Sequence, residues 1–367
     1  MQSESKVFVW FRAVWKSFLN IEWKSLIQRA IKNFGWPRII ILLFLILLFI
    51  LGSFYGVSTE ASIRNVLQRF GMNGILALAM VPMIQSGCGL NFGNSVGIIA
   101  GLFGGVISLE LYLTGLGGIL AAIGIAVVFA AVFGWAYGLL LNRVKGDEML
   151  IATYVGYSFV FLMCFFWLVL PFRNPTSMQG YKGEGLRALI SLDNYWIRAF
   201  SDLLEIRVTD KLTIPTGMIL FFGLMCLAVW CFFRTKTGTA ITAVGSNPEY
   251  ARASGINVNR MRAISVACST VLSAVGIIVY QQQFGFLQLY NAPLSFMFPS
   301  VAAVLLGGAS VNKASIVNVI VGTLLFQGIV TMTPSVINSM IDLDASEVVR
   351  LIASNGIIVY ALTRKGR

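Results

Sequence analysis

Residues 215–233 read PTGMILFFGLMCLAVWCFF, and residues 234–262 read RTKTGTAITAVGSNPEYARASGINVNRMR. The first is an apolar run of membrane-spanning length, and the second turns polar at once. Within the polar stretch, Asn247 suits an N-cap, Pro248 the first helical position and Glu249 the positive end of a helix dipole. Gly255 offers a stop one or two turns later. This predicts a short helix held out of the membrane to touch another molecule. So short a helix is marginal alone, and its neighbours must hold it.

Apolar runs of the same kind recur along the chain. Hydrophobic residues make up 57% of 367 and charged residues 11%, a composition that describes an all-α integral membrane protein and excludes a soluble core. About ten transmembrane helices are expected, over 38–55, 71–86, 93–110, 116–141, 149–171, 215–233, 261–283, 295–308, 315–333 and 348–363. Together they make a membrane domain over 38–363.

Basic residues orient these spans. With both termini cytoplasmic, Lys6, Arg12, Lys16, Lys24, Arg29, Lys32, Arg38, Arg143, Lys145, Arg234, Lys236, Arg252, Arg260, Arg262, Lys313, Arg364, Lys365 and Arg367 lie inside, 18 of the 27 Lys and Arg. The loop 172–214 is then external despite its own charges, since long loops obey the charge rule weakly. Residues 234–260 become a cytoplasmic segment and 364–367 a cytoplasmic tail. The net charge of +12 is mostly this topology signal, with attraction to anionic lipid added. Nucleic-acid binding is a poor reading because no basic run carries interleaved stacking aromatics on a soluble surface.

Residues 1–37 lack the compact apolar core and cleavage site of a signal peptide. Phe8, Phe11, Val14, Trp15 and Phe18, then Trp23, Ile27, Ala30 and Phe34, recur at helical spacing with basic residues between them. That pattern predicts an amphipathic helix lying in the membrane interface; a disordered basic head is the alternative.

The chemistry is informative by what it lacks. There is no histidine, and Cys88, Cys164, Cys226, Cys231 and Cys268 show no metal-ligand spacing, so they read as small apolar fillers. The expected spans hold almost no ionisable residue, Glu110 and Arg350 lying near external ends. Ion-coupled transporters place acids or histidines at mid-membrane depth, so the pattern argues against ion coupling and for an uncharged solute. No phosphate-cradling GxxxxGK[ST] sequence occurs. If ATP supplies the energy, it is hydrolysed on another polypeptide.

NPEYARASGI, with Glu249, Ala251, Ala253 and Gly255, follows TKTGTAITAVG and precedes NVNRMR and a long span. This arrangement resembles the coupling segment of ABC importer permeases, specifically the ribose- and galactose-type sugar branch and its nucleoside-importing relatives. A Gly-rich third span and the late GGASVNKASIVNVIVGTLLFQGIV segment are similar too, so the resemblance covers roughly residues 36–365. It implies a non-enzymatic transport subunit of the inner membrane, with Asn247, Pro248, Glu249, Tyr250, Arg252 and Gly255 in the coupling helix. It further implies ATPase subunits that carry the ATP and Mg, a second permease copy or paralogue, and an extracytoplasmic substrate-binding protein. No cofactor or metal is expected in this chain. One departure concerns substrate identity: sugar permeases of this branch carry a GIDLS-like turn after the second span, whereas this chain has Gly87, Cys88, Gly89, Leu90, Asn91, Phe92 and Gly93, with Gly89 at the acidic position.

Two further features are read from the residues themselves. Gly93, Gly97, Gly101 and Gly105 recur every fourth residue, drawing a groove along one helix face where another backbone can approach, and the tightest helix contact of the chain is expected there. A substrate-facing role is the alternative. Just before it, Pro82 interrupts the second span, and Gln85, Ser86, Asn91, Phe92 and Asn94 cluster around a Gly-rich turn. Broken helix at membrane depth is tolerated where it is buried in protein or lines a watery cavity, which makes the turn a candidate for the solute path. The same amides can instead bond one another or freed backbone groups.

At the outer end of the span after the coupling segment, Gln281, Gln282, Gln283 and Phe284 fit either an external gate or a solvated helix end. One continuous helix would join that end to the coupling segment. Ser95, Val96, Gly104 and Gly105 also echo Ser300, Val301, Gly307 and Gly308, as a duplicated core would. These readings converge on the permease subunit of an ATP-driven importer for a neutral polar solute, a monosaccharide first and a nucleoside as the alternative. An ion-coupled transporter or channel, and a membrane-anchored scaffold, are the readings of another class.

Overall fold

The computed structural model describes residues 36–144, 146–178, 186–209, 212–340 and 346–363. Residues 1–35 of the expected interfacial segment and the tail 364–367 lie outside the described residues. The chain divides into two units, Met1–Phe44 and Leu45–Arg367. Of the first, only the opening turns of helix α1 (Trp36–Phe54) are described.

The second unit continues with α2 (Thr59–Leu78), α3 (Met80–Gln85), α4 (Asn94–Glu110), α5 (Gly115–Arg143) and α6 (Glu148–Val169). Three short strands follow, β1 (Leu189–Ser191), β2 (Ile206–Thr209) and β3 (Leu212–Ile214), and then α7 (Thr216–Arg234), α8 (Lys236–Ser246), α9 (Pro248–Ala253) and α10 (Val258–Phe284). Strand β4 (Phe286–Gln288), α11 (Ala292–Ser295), α12 (Met297–Leu306), α13 (Ile316–Met340) and α14 (Ser346–Thr363) complete it.

Among the described residues, six helices are long and apolar enough to cross a membrane: Thr59–Gln85, Gly115–Arg143, Glu148–Val169, Thr216–Arg234, Val258–Phe284 and Ile316–Met340. Arg38–Phe54, Asn94–Glu110, Ala292–Leu306 and Val348–Tyr360 are apolar but shorter. Every expected segment falls on one of these helices. The second begins earlier than expected, at Thr59 rather than 71, where Ser58 Oγ accepts a hydrogen bond from Ala61 N at 3.4 Å. Glu60, Arg64, Asn65, Gln68 and Arg69 dilute the apolar signal of its first turns and hid them from a hydropathy reading. The polar stretch 234–262 also holds one more helix than expected. Its two glycines and three threonines make α8 a weak helix former, and the burial of Ile241 and Val244 holds it.

Helix α10 is the packing centre, touching α2, α4, α5 and α8. Small residues let the backbones close up. A Cβ on Gly97 would stand 2.5 Å from both Ser273 Cβ and Thr270 O, and one on Gly101 would stand 2.6 Å from Ala274 O. The other two stripe glycines meet different partners, Gly93 the phenol of Tyr137 on α5 and Gly105 the side chain of Leu287 in β4. The α4–α10 seam is not, however, the closest approach. At the α12–α13 crossing, a Cβ on Gly307 would fall 1.8 Å from Asn318 O and one on Gly322 would fall 1.9 Å from Ala303 O. Gly104, inside α4, abuts the backbone of α5, and Gly307, the C-cap of α12, abuts that of α13.

The segment 172–214 is not a plain loop. Glu110, the last residue of α4, accepts hydrogen bonds from Arg173 N at 2.5 Å and Asn174 N at 3.2 Å. Buried Asn174 donates through Nδ2 to Leu109 O and Tyr195 Oη, both at 2.7 Å. Strand β1 pairs antiparallel with β4, and β2 with β3. The lobe is thereby pinned to the C-terminal ends of α4 and α10.

Candidate functional site

Helix α9 is built by its caps. Asn247 Oδ1 accepts from Tyr250 N at 3.0 Å, Pro248 occupies the first turn, and Glu249 sits at the N-terminal end. At the other end Gly255 adopts φ +81°, with Gly255 N donating to Arg252 O and Ile256 N to Ala251 O, each at 3.0 Å. That pair of bonds is a Schellman stop, which requires the left-handed conformation glycine supplies. Ala251 is buried with Val244 and Val258, and Ile256 and Met261 pack on them. The opposite face is bare: Glu249, Arg252 and Gly255 are exposed, and Tyr250 is 70% exposed.

Immediately before α9, the end of α8 rests on the broken second span. A Cβ on Gly245 would lie 2.0 Å from Gln85 O and 3.0 Å from Gly87 N. Gln85 Nε2 in turn donates to Ala314 O in the α12–α13 connection, where Asn318 bridges Gly307 O at 2.7 Å and Ser315 N at 3.0 Å. Three stretches far apart in sequence, around Gln85, Gly245 and Ala314, thus meet at one point beside α9.

The break itself is satisfied by α10. Between α2 and α3 the helix is interrupted at Ala79, and Pro82 brings no backbone N–H. Ser269 Oγ donates to Ala79 O at 2.6 Å, and Ser265 Oγ to Pro82 O at 2.5 Å. Asn91 Nδ2 donates to Ser269 Oγ at 2.7 Å, and Tyr137 Oη donates to Asn91 Oδ1 at 3.4 Å. Ser273 Oγ donates to Asn94 Oδ1. Asn91 and Asn94 are both fully buried, and Asn94 Nδ2 has no hydrogen-bond partner. Half-buried Phe92 packs its ring 5.9 Å from that of Phe298.

About 20 Å further along α10 from Ser269, the glutamines face the lobe. Gln281 and Gln282 are fully buried, so the solvated helix end envisaged from the sequence is not what forms. Gln281 Oε1 accepts from Gln288 N, and Gln282 Oε1 from Phe200 N, both at 3.2 Å. Ser201 Oγ donates to Gln283 Oε1. Beside them lies a cavity of about 580 Å³ lined by Asn65, Gln68 and Arg69 of α2, Tyr280, Gln283 and Phe284 of α10, Thr331 and Ser335 of α13, and Arg350 of α14. Among the described residues, no carboxylate lines it. The Tyr280 and Phe284 rings stack with centroids 6.0 Å apart and planes 21° apart, and the Thr331 hydroxyl has no partner.

Sequence reasoning missed two parts of this arrangement. The first is the stripe Ser265, Ser269 and Ser273, whose four-residue spacing just beyond the polar segment was the available signal. The second is the polar outer half of α2, whose Asn65, Gln68 and Arg69 line the cavity.

A bundle of apolar helices with one short exposed helix, α9, and a polar cavity beside the far end of α10 is the architecture of a multi-pass membrane protein. Residues 62–359 match the family described as branched-chain amino acid transport system / permease component, and the chain belongs to that family of ABC transporter permeases of the cytoplasmic membrane. It is 28% identical over 253 residues to the autoinducer 2 import system permease protein LsrD of Escherichia coli O157:H7, covering 68% of each chain. It is 26% identical over 230 residues to the nucleoside ABC transporter permease protein NupB of Lactococcus lactis, covering 61% of this chain and 59% of that one. Among solved structures, a metal-chelate-type ABC transporter in an inward-facing conformation matches 89% of this chain and 99% of its own, at 14% identity and a TM-score of 0.45.

Proposed function

We propose that this chain is the membrane subunit of an ATP-driven importer and that α9 is the surface on which a separate ATPase docks. The observation that carries this is the pairing of the bare α9 face with the contact of Gly245 on Gln85 and Gly87. A push on α9 has a direct route through α8 to the broken second span, and through the continuous helix α10 to the outer cavity. ATP and Mg are held by the ATPase. Ten helices cross the membrane with both termini cytoplasmic, a second permease copy or paralogue completes the path, and an extracytoplasmic binding protein delivers the solute to the outer face.

The solute is neutral and polyhydroxylated, a monosaccharide first and a nucleoside as the second reading, as the LsrD- and NupB-like sequences suggest. Its outer station is the cavity beside Phe284, where the stacked rings offer a face to a sugar or base and the amides, hydroxyls and arginines offer hydrogen bonds. Its inner station is the turn of Gln85, Asn91, Phe92 and Asn94, where Asn94 Nδ2 is the unspent donor. Gln281 and Gln282 hold the gate end of α10 against the lobe.

Reconstitution with its ATPase and binding protein in vesicles tests the reading. ATP-dependent uptake of a labelled monosaccharide or nucleoside is expected. Uptake by the chain alone, driven by an ion gradient, would contradict it.

A further inference from the structure

A second cavity, of about 400 Å³, opens between α5, α7 and α10 beside Pro82. Its floor is made of small residues, Ala131, Ala228 and Ala267, and its walls include Trp135 and Phe232. No charged group lines it. An apolar recess of this kind holds no polar solute and stays free of ordered water. It also lies on spans whose outward surfaces are rich in exposed apolar side chains, among them Leu224, Leu227 and Trp135, so its surroundings are hydrocarbon.

Basic residues stand at one end. Thr235, the N-cap of α8, lies against the groove wall, donating from N at 3.0 Å and from Oγ1 at 2.7 Å to Phe232 O. The first turn of α8 therefore starts at the groove's edge, and Lys236, its first residue, is exposed there. On α10, exposed Arg260 precedes the lining residue Ile264 by one turn and so continues the same helix face. The α8 N-terminus adds its partial positive charge beside the two cations. An apolar slot that ends in positive charge complements one kind of molecule found in a bilayer, a lipid with an anionic headgroup.

We propose that this groove is a binding site for one anionic phospholipid, its acyl chain lying against Ala131, Ala228 and Ala267 and its phosphate held at Lys236 and Arg260. The site stands apart from the solute path and from the exposed face of α9. A lipid seated there would touch Pro82 at the broken span.

The test titrates detergent-solubilised full chain with phosphatidylglycerol and phosphatidylcholine of identical acyl chains, counting bound lipid by native mass spectrometry. Retention of one phosphatidylglycerol per chain is expected, favoured by roughly tenfold or more over phosphatidylcholine. K236Q/R260Q should remove the preference, and A228F, which fills the slot, should remove retention of both lipids. Should A228F fail to fold by thermal melting, A131L makes the same test with a smaller side chain. Equal retention of the two lipids by the unaltered chain would overturn the proposal, as would unchanged retention in the variants. A groove variant that altered only the association state of the protein would do the same, marking the groove as a subunit contact.

Discussion

Gly245 and Gln85 are in backbone contact: a Cβ on the glycine would lie 2.0 Å from the glutamine carbonyl oxygen. One residue separates Gly245 from the N-cap of α9, and Gln85 ends the broken span. The contact therefore joins the segment that leads into exposed helix α9 directly to the broken span. Because the atom met is backbone, it cannot swing aside. Gly245→Ala should cost about 1–3 kcal/mol of stability as an overpacked contact, read as a lowered melting temperature of the purified protein, together with reduced ATP-driven uptake. Normal melting and uptake would show that the two segments part at no cost.

The Ser269 hydroxyl serves Ala79 O and Asn91 Nδ2 at once. Ser269→Ala leaves a buried carbonyl and a buried amide unpaired, which should cost about 1–3 kcal/mol in thermal unfolding. Ser265→Ala removes one of two bonds to Pro82 O, which keeps Ser86 N as a donor at 3.1 Å, and should cost less. Equal losses in the two variants would contradict this ordering.

Close packing of α4 on α10 depends on the missing side chains of Gly97 and Gly101. Leucine at either position meets the backbone of α10, and the folded yield in membranes should fall sharply for both variants. Gly105→Ala meets only the flexible end of Leu287, at 3.1 Å, and should be tolerated within about 1 kcal/mol. Wild-type yield and transport in the two leucine variants would refute the packing role.

At the outer cavity, Phe284→Ala removes one of the two stacked rings without touching a buried hydrogen bond. Uptake assays should show a raised KM with folding intact, on the order of tenfold for the loss of one aromatic face. An unchanged KM would place the solute elsewhere.

Much of this was legible in advance, because membrane spans announce themselves by composition and α9 by its caps. Asn247, Pro248 and Gly255 act locally, within four residues of the bonds they make, so their sequence alone carried the geometry. The rest depends on contacts between distant stretches. Gly245 reads as one small residue among many until the fold sets it on Gln85, and Ser269 reads as an ordinary hydroxyl until the break at Ala79 is placed beside it. The outer half of α2 was hidden for a different reason: Asn65, Gln68 and Arg69 line a cavity and so break the apolar run that a span is recognised by. The Gly-rich stripe gave a true contact and a wrong rank, since the α12–α13 crossing at Gly307 and Gly322 is closer.

The central claim is that α9 couples this subunit to an ATPase, and charge exchange on its bare face tests it most directly. Glu249→Lys with Arg252→Glu alters two exposed side chains and no capping hydrogen bond, so the purified protein should stay folded, losing at most about 2 kcal/mol for two charges reversed against the helix dipole. In vesicles holding the ATPase and the binding protein, the account predicts loss of ATP-driven uptake and loss of ATPase co-purification. Full uptake by the double variant, with the ATPase still bound, would contradict it.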